Sequence, residues 1–529
     1  MNILTNTSMG RQFLSPHFIL LVSSLVCLAL SPVSRGQDGD LGNGNTAEGN
    51  AALASLNGGF NNTAMGNGVL FHNTNGGSNT ATGSAALNSN VGGFSNTADG
   101  YAALLNNTAS FNTATGSLAL NSNTSGSDNT AVGYQALKSN TTGPFNTAVG
   151  ESALFSNTSG HRNTAVGDGA MIVSTTGFQN TAVGVSALRN NTAGAQNVAV
   201  GQDACNNNQD ATGNTGVGYQ ALLRNSTAGN TALGFQALMN NSSGAGNMAS
   251  GWNALVSNTT GNYNTANGFV ALENNTTGSE NTGNGLESLF HNTTGSGNTA
   301  TGFNALLGNS TGNNNTALGF SAGQNLTTGS NNIDIGANVL GNAGEANTIR
   351  IGKQGTQKNT LIAGIFGTAV SGSTVVVSST GKLGVATSSA RFKEAIKPMD
   401  KASEALLKLK PVTFRYKEEL DPDKIPQFGL VAEEVEKINP DLVVRDESGK
   451  AYTVRYEAVN AMLLNEFLKE HRTAAEEHRK VEEQGRTIQE LKGLVTNQEK
   501  QIDRLTVGLQ RVSNGVELAK PCPKVVSND

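Results

Sequence analysis

The chain has 529 residues, which at roughly 150 residues per domain would allow three or four ordinary domains. Glycine accounts for 65 of them, aromatic residues for 5% and charged residues for only 14%, so a repetitive, turn-rich architecture is expected before several globular cores. The net charge is −5 and no basic block could neutralise a run of phosphates, which excludes nucleic-acid binding from the expected functions.

Arg11, the apolar run Phe18 to Leu30 and small residues through Ser34 and Gly36 read as an export signal over residues 1–36. Thirteen apolar residues are short for a membrane span, and no second apolar stretch of about 20 follows. The mature chain is therefore expected to have no membrane-spanning helix and to be secreted or held at the cell surface. Cys27 does not read as a lipid-attachment site, because the apolar run continues past it and bulky Val26 precedes it.

Charge divides the rest. From Gln37 to Thr360 there are 7 Lys and Arg against 14 Asp and Glu, whereas from Ser388 to Asp529 there are 24 and 25. Between these parts, residues 361–387 carry short β-branched runs broken by Gly and read as a β-rich neck.

The charge-poor part is a repeat. The Gly of Asn-Thr-Ala-x-Gly recurs from Gly49 to Gly352 in nineteen units, with a spacing of 17 and three steps of 16, which predicts a solenoid. Asn stands four residues before this Gly in eighteen units, making an amide ladder in stacked coils, and Leu stands four residues after it in fourteen of the first seventeen, making the core column. Aromatic residues recur directly after Gly, as at Tyr101, Tyr219, Phe235, Trp252 and Phe320, and a second turn follows at sequences such as Asn140-Thr-Thr-Gly143. Two short strands per unit, separated by turns, are expected. At about 4.8 Å per coil the 18 intervals give a rod of roughly 85 Å. Cys205 and Met171 fall on the Leu column and read as buried apolar substitutes, while His72 and His291 read as one surface row; no metal or cofactor is expected. The period and the motif resemble the head repeats of trimeric autotransporter adhesins and the shafts of phage-type tail fibres.

The charged part begins Thr387-Ser-Ser-Ala-Arg-Phe-Lys-Glu-Ala-Ile396 and continues through Pro411 to Tyr416, Phe428-Gly-Leu-Val-Ala-Glu-Glu-Val-Glu436 and Tyr452 to Tyr456. Locally this reads as a small α+β module with helices near 400–408 and 431–438, followed by a long helix. Over about Ser388 to Leu509 the series resembles the intramolecular chaperone domain of phage endosialidases and tailspikes, a self-cleaving module. The resemblance implies that Ser388 and Lys393 form an autoproteolytic dyad. A Ser hydroxyl needs a base to become a nucleophile, and a Lys can serve only when desolvation lowers its pKa from about 10.4 toward neutrality. The family often has Asp directly after the Ser; here Ser389 stands there and is itself a rival nucleophile.

Heptad a positions read Val481, Ile488, Val495, Ile502 and Leu509, and d positions Gln484, Leu491, Gln498, Leu505 and Val512. The seam alone would suit a dimer, blurred by the two Gln; a homotrimer is what the resemblance implies. The expected fold is mostly β. A 17-residue-repeat β-roll or β-helix shaft spans 37–360 and the neck 361–387. An α+β chaperone and autoprotease domain then spans 388–456, a coiled-coil helix 457–512 and a disordered tail 513–529. The expected function is a trimeric fibre or adhesin-like surface protein that removes its own trimerising domain. Its expected partners are its own copies and a cell-surface or glycan receptor. The rival reading is a non-enzymatic solenoid whose row of Thr46, Thr63 and Thr80 onward presents a flat face to ice or glycan, beside an inactive trimerisation domain. A glycan-degrading enzyme would need paired carboxylates in a cleft, and the sparse acids of the repeat offer no pair.

Overall fold

A computed structural model of the chain describes residues 39–365, 369–378, 380–446 and 448–517; the expected export signal lies outside them. The chain forms two compact units, Met1–Ile362 and Ala363–Asp529.

The first unit is a β-solenoid of about 18 turns. A two-residue strand β1 (Gly39–Asp40) pairs antiparallel with β2 (Thr46–Glu48) and covers the N-terminal edge of the stack. From β2 to β20 (Ile349–Ile351), nineteen three-residue strands pair in parallel and residue for residue with the next, Thr130↔Thr147, Ala131↔Ala148 and Val132↔Val149 being one example. The middle residue points inward and its two neighbours outward.

Each coil has one strand, where two were expected. Opposite the strand, the chain must turn through half a circle while its N–H groups still point along the axis, which extended residues cannot do. Left- and right-handed residues alternate there instead. Gln135 and Leu137 have φ of 60° and 51°, and their N–H groups donate to Ser117 O and Ala153 O in the coils below and above. Between them, Ala136 N–H donates to Gly133 O and Asn140 N–H to Leu137 O, closing overlapping turns within the coil. Leu in the left-handed region costs roughly 1–2 kcal/mol. Full burial of the same side chain contributes about 1.5–3 kcal/mol, which offsets that cost.

The core is three columns: the strand-centre Ala, a second Ala on the arc, and the Leu that follows it, as in Ala131, Ala136 and Leu137, all buried. These columns close within one chain through the stacking of its own coils. Cys205 is buried on the Leu column, and the adjacent strand centre is Gly216, where an added Cβ would stand 2.5 Å from the Cys205 Sγ. The Cys205 sulfur thus takes the space that a strand-centre Ala methyl would fill. The marker glycines are fixed by a similar contact. Gly133 has φ of 134° and a Cβ on it would lie 2.4 Å from Gly150 O, so no side chain fits.

Two buried asparagine ladders hold the polar side of the coils, the second starting at Asn73 and interrupted at Ser174. In the first, Asn146 N–H donates to Asn129 Oδ1 at 2.9 Å and Asn146 Nδ2 to Gly160 O at 2.8 Å. In the second, seven residues after the marker Gly, Asn157 Nδ2 donates to Asn140 Oδ1 at 2.7 Å and to the same Gly160 O at 3.0 Å. A single carbonyl thus ties both ladders together. At the C-terminal end Asp334 replaces the strand-centre Ala in β19 (Ile333–Ile335) and is fully buried, and Arg350 of β20 bridges Asp334 and Glu345. Burial raises the Asp334 pKa, and the Arg350 guanidinium opposes that rise. This ionic cluster ends the apolar core.

In the second unit β21 (Val375–Val377) and β22 (Leu383–Val385) form an antiparallel hairpin. A short 3-10 turn, Ala390–Phe392, precedes a longer one, Asp400–Lys408. β23 (Val412–Phe414) pairs with β24 (Gln427–Gly429), and helix α1 (Ala432–Ile438) leads to the pair β25 (Val443–Arg445) and β26 (Ala451–Val454). Helix α2 runs from Tyr456 to Glu517, past the expected end at 512, because no breaker intervenes before Pro521. The buried apolar core of this unit is Val435, Leu442, Val443, Val454 and Met462. No helix among the described residues is long and apolar enough to cross a membrane.

The ladder geometry sets a prediction. Asn146→Leu removes the acceptor of Asn163 N–H (3.1 Å) and one of the two donors to Gly160 O, which costs about 1–3 kcal/mol. Hydrogen exchange is expected to lose protection in the coils around residue 146, whereas Thr147→Val on the outward row is expected to leave it unchanged.

Candidate functional site

Ser388 and Lys393 meet across one 3-10 turn. Ser389 is the residue before the turn, Phe392 N–H donates to Ser389 O at 3.1 Å, and Lys393 N–H donates to Ala390 O at 3.1 Å. This closure brings the Lys393 side chain back onto the residue five positions earlier, and its Nζ lies 3.3 Å from Ser388 Oγ. In this state the ammonium donates to the hydroxyl. A neutral amine in the same place would accept the hydroxyl proton, the arrangement a Ser nucleophile needs. Among the described residues no carboxylate pairs with Lys393. Ser388 and Lys393 are both exposed in the single chain, as are neighbouring Phe392 and Ile396. Arg391 lies over the Phe392 ring at 4.6 Å.

A second Ser–Lys contact lies deeper, and the sequence reading did not find it. Ser403, fully buried on the 400–408 segment, donates to Glu466 Oε1 at 2.5 Å and accepts from Asn465 Nδ2 at 2.6 Å and Lys469 Nζ at 3.2 Å, all on α2. Here the ammonium is engaged by Glu466 at 2.6 Å. Hydrogen bonds from Lys469 and Ser403 hold the Glu466 carboxyl below its usual range. A Lys committed to a carboxylate is not a waiting base, so this cluster clips the segment to the helix. Its partners stand more than 60 residues apart, and no local pattern signals it.

On the shaft, the aromatic row stacks on itself. Tyr219 and Phe235 lie 5.2 Å apart with planes 19° apart, and Trp252 sits between Phe235 and Phe269 at 4.7 and 5.9 Å. His72 and His291 are exposed and pack edge-on against Phe71 and Phe290. Burial pushes the Cys205 thiol up to about 12, which leaves it unreactive. Among the described residues no group of three or more His, Cys, Asp or Glu is placed to hold a metal ion.

A family model described as chaperone of endosialidase matches residues 388–444, starting on Ser388 itself and ending within β25. No curated protein and no solved structure matches the chain. A β-solenoid shaft followed by this chaperone segment gives the chain a tail-fibre-like organisation.

The clip yields a test independent of cleavage. Ser403→Ala removes one partner each from Glu466, Asn465 and Lys469, at a cost of about 1–3 kcal/mol. Hydrogen exchange in residues 400–408 is expected to quicken about tenfold or more, with any processing at Ser388 unchanged.

Proposed function

We propose that the chain is an exported, fibrous homotrimer whose C-terminal module assembles three copies, sets the register of their shafts and then cuts itself off beside Ser388. The observation that carries this reading is that the chaperone-like segment begins at Ser388 and holds Lys393 Nζ 3.3 Å from its hydroxyl.

Exposed apolar surface supports the self-assembly. Along α2 the seam residues Val481, Ile488, Leu491, Val495, Ile502 and Leu505 are all exposed, with no cover among the described residues. On the neck hairpin Val375, Val376, Val377, Leu383 and Val385 are exposed on both faces, and Leu361 and Val370 are 95% and 85% exposed. A monomer leaving this much apolar surface in water, with so small a core in the second unit, is poorly stabilised. Exposed Phe392 and Ile396 beside Lys393 offer a further apolar surface for a copy to cover, and such cover would exclude water from the dyad. The amine then takes the proton of Ser388, Oγ attacks the adjacent peptide carbonyl, the amide nitrogen leaves with the proton, and water hydrolyses the ester. Long-range β-pairing is slow and prone to misregister, so a pre-assembled seed has a physical use, and cutting it away makes assembly irreversible.

Light scattering and intact mass on the mature full-length protein test this. A trimer is expected, with a released fragment of 142 residues, about 15 kDa of the 54.4 kDa chain. Ser388→Ala is expected to abolish the cut and Lys393→Ala to slow it about 10²- to 10⁴-fold. Ser389→Ala should leave it largely intact and Ser389→Asp should speed it. Its rate should not depend on protein concentration once trimers exist. A folded trimer that keeps full-length mass after long incubation contradicts self-cleavage. Cutting that survives Ser388→Ala and is lost in Ser389→Ala moves the nucleophile by one residue.

A further inference from the structure

We infer that the outward strand face of the shaft is the surface along which copies of this chain pack against one another. The inference rests on the self-assembly proposed above and assigns it a place on the solenoid. From Thr113–Thr115 to Ile349–Ile351, fifteen successive strands present two outward residues each, and none of the thirty is charged. Nearer the N-terminus the same row carries Glu48 and Asp99. Identical chains held in equal register bring like residues opposite like, so a charged row would repel at every coil. An uncharged row meets its own copy without that cost.

The face is most apolar at the C-terminal end of the shaft, beyond an uncharged polar stretch of Thr265 and Asn267, Thr282 and Asn284, and Thr299 and Thr301. Middle coils pair Thr with Val, as in Thr147 and Val149, and the last three strands end on Leu318, on Ile333 and Ile335, and on Ile349 and Ile351. Ile349 and Ile351 are 67% and 74% exposed although both belong to paired strands. The exposed residues Leu361 and Ile362 follow them in sequence, so the same unpartnered chemistry continues along the chain. Fourteen intervals of about 4.8 Å by a strand width of about 10 Å give roughly 700 Å² per chain, close to the ~800 Å² per partner of a stable interface.

The rival surface is the corner row directly after the marker Gly. It carries Glu151 and Asp168, and its rings at Tyr219, Phe235, Trp252 and Phe269 already stack along their own chain. The observations therefore favour the strand face, with a second copy of this chain as its occupant.

Cysteine crosslinking of the full-length protein in a Cys522→Ser background decides between the two. With Ile351→Cys, mild oxidation is expected to join copies into a covalent dimer on a denaturing gel, and with Phe320→Cys on the corner row it is expected to join none. Light scattering on each variant reports assembly separately. An oligomer in which Ile351→Cys stays uncrosslinked, whatever Phe320→Cys does, overturns the assignment of the face and leaves self-assembly standing. A monomer by light scattering overturns the self-assembly reading, and this inference with it.

Discussion

The polar groups that point along the solenoid axis find their partners in the next coil, and only when that coil is in register. Alternate N–H groups of the arc, the strand amides and the amide-to-amide bonds of both asparagine ladders obey this one constraint. It explains why the period is strict in a region so poor in charge and aromatic residues. It also explains where the period relaxes. At Asn107 to Asn112 and at Asn225 to Asn230 the missing residue falls in the turn between the two ladders, and both ladders stay continuous across the shortened coils. An omission inside the strand or the arc would instead shift the Ala and Leu columns against one another.

A stack built this way is linear, so its ends need separate solutions. At the start, β1 runs antiparallel over the first edge. At the finish, the seventh residue after the marker Gly changes from Asn to Leu326, and Asp334, Arg350 and Glu345 close the core with charge. Removing Arg350 would leave a buried carboxylate unpaired, which is why an ionic cluster can end a column without continuing it. Nothing in a linear stack fixes how two copies align, because each coil resembles its neighbours. A register shared between chains must come from a part that is not repetitive, and on the proposed function the charged second unit is that part.

Much of this was legible in the sequence. The period, the first asparagine ladder and the Leu column follow from spacing, the order of motifs from Ser388 through Gly429 and Val435 carries the resemblance, and one short turn lies within the four residues between Ser388 and Lys393. The second ladder was visible as Asn140 and its equivalents but read as a plain turn, because sequence does not distinguish an exposed turn Asn from one with its amide buried. A second strand in each coil is expected from the two turns per unit, yet the left-handed φ at Gln135 and Leu137 is set by closure of the coil and not by local preference. The Ser403 clip joins residues more than 60 positions apart, and the Asp334 cap pairs Arg350 through the solenoid register, so each becomes readable only once the topology is known.

The central claim is that the shaft closes its own core but takes its assembly from the C-terminal module. Sedimentation of a chain ending at Val385, compared with the full-length protein, tests it most directly. A truncated shaft that is monomeric or aggregated is expected beside a trimeric full-length protein. A soluble, correctly trimeric shaft from the truncated chain would contradict it.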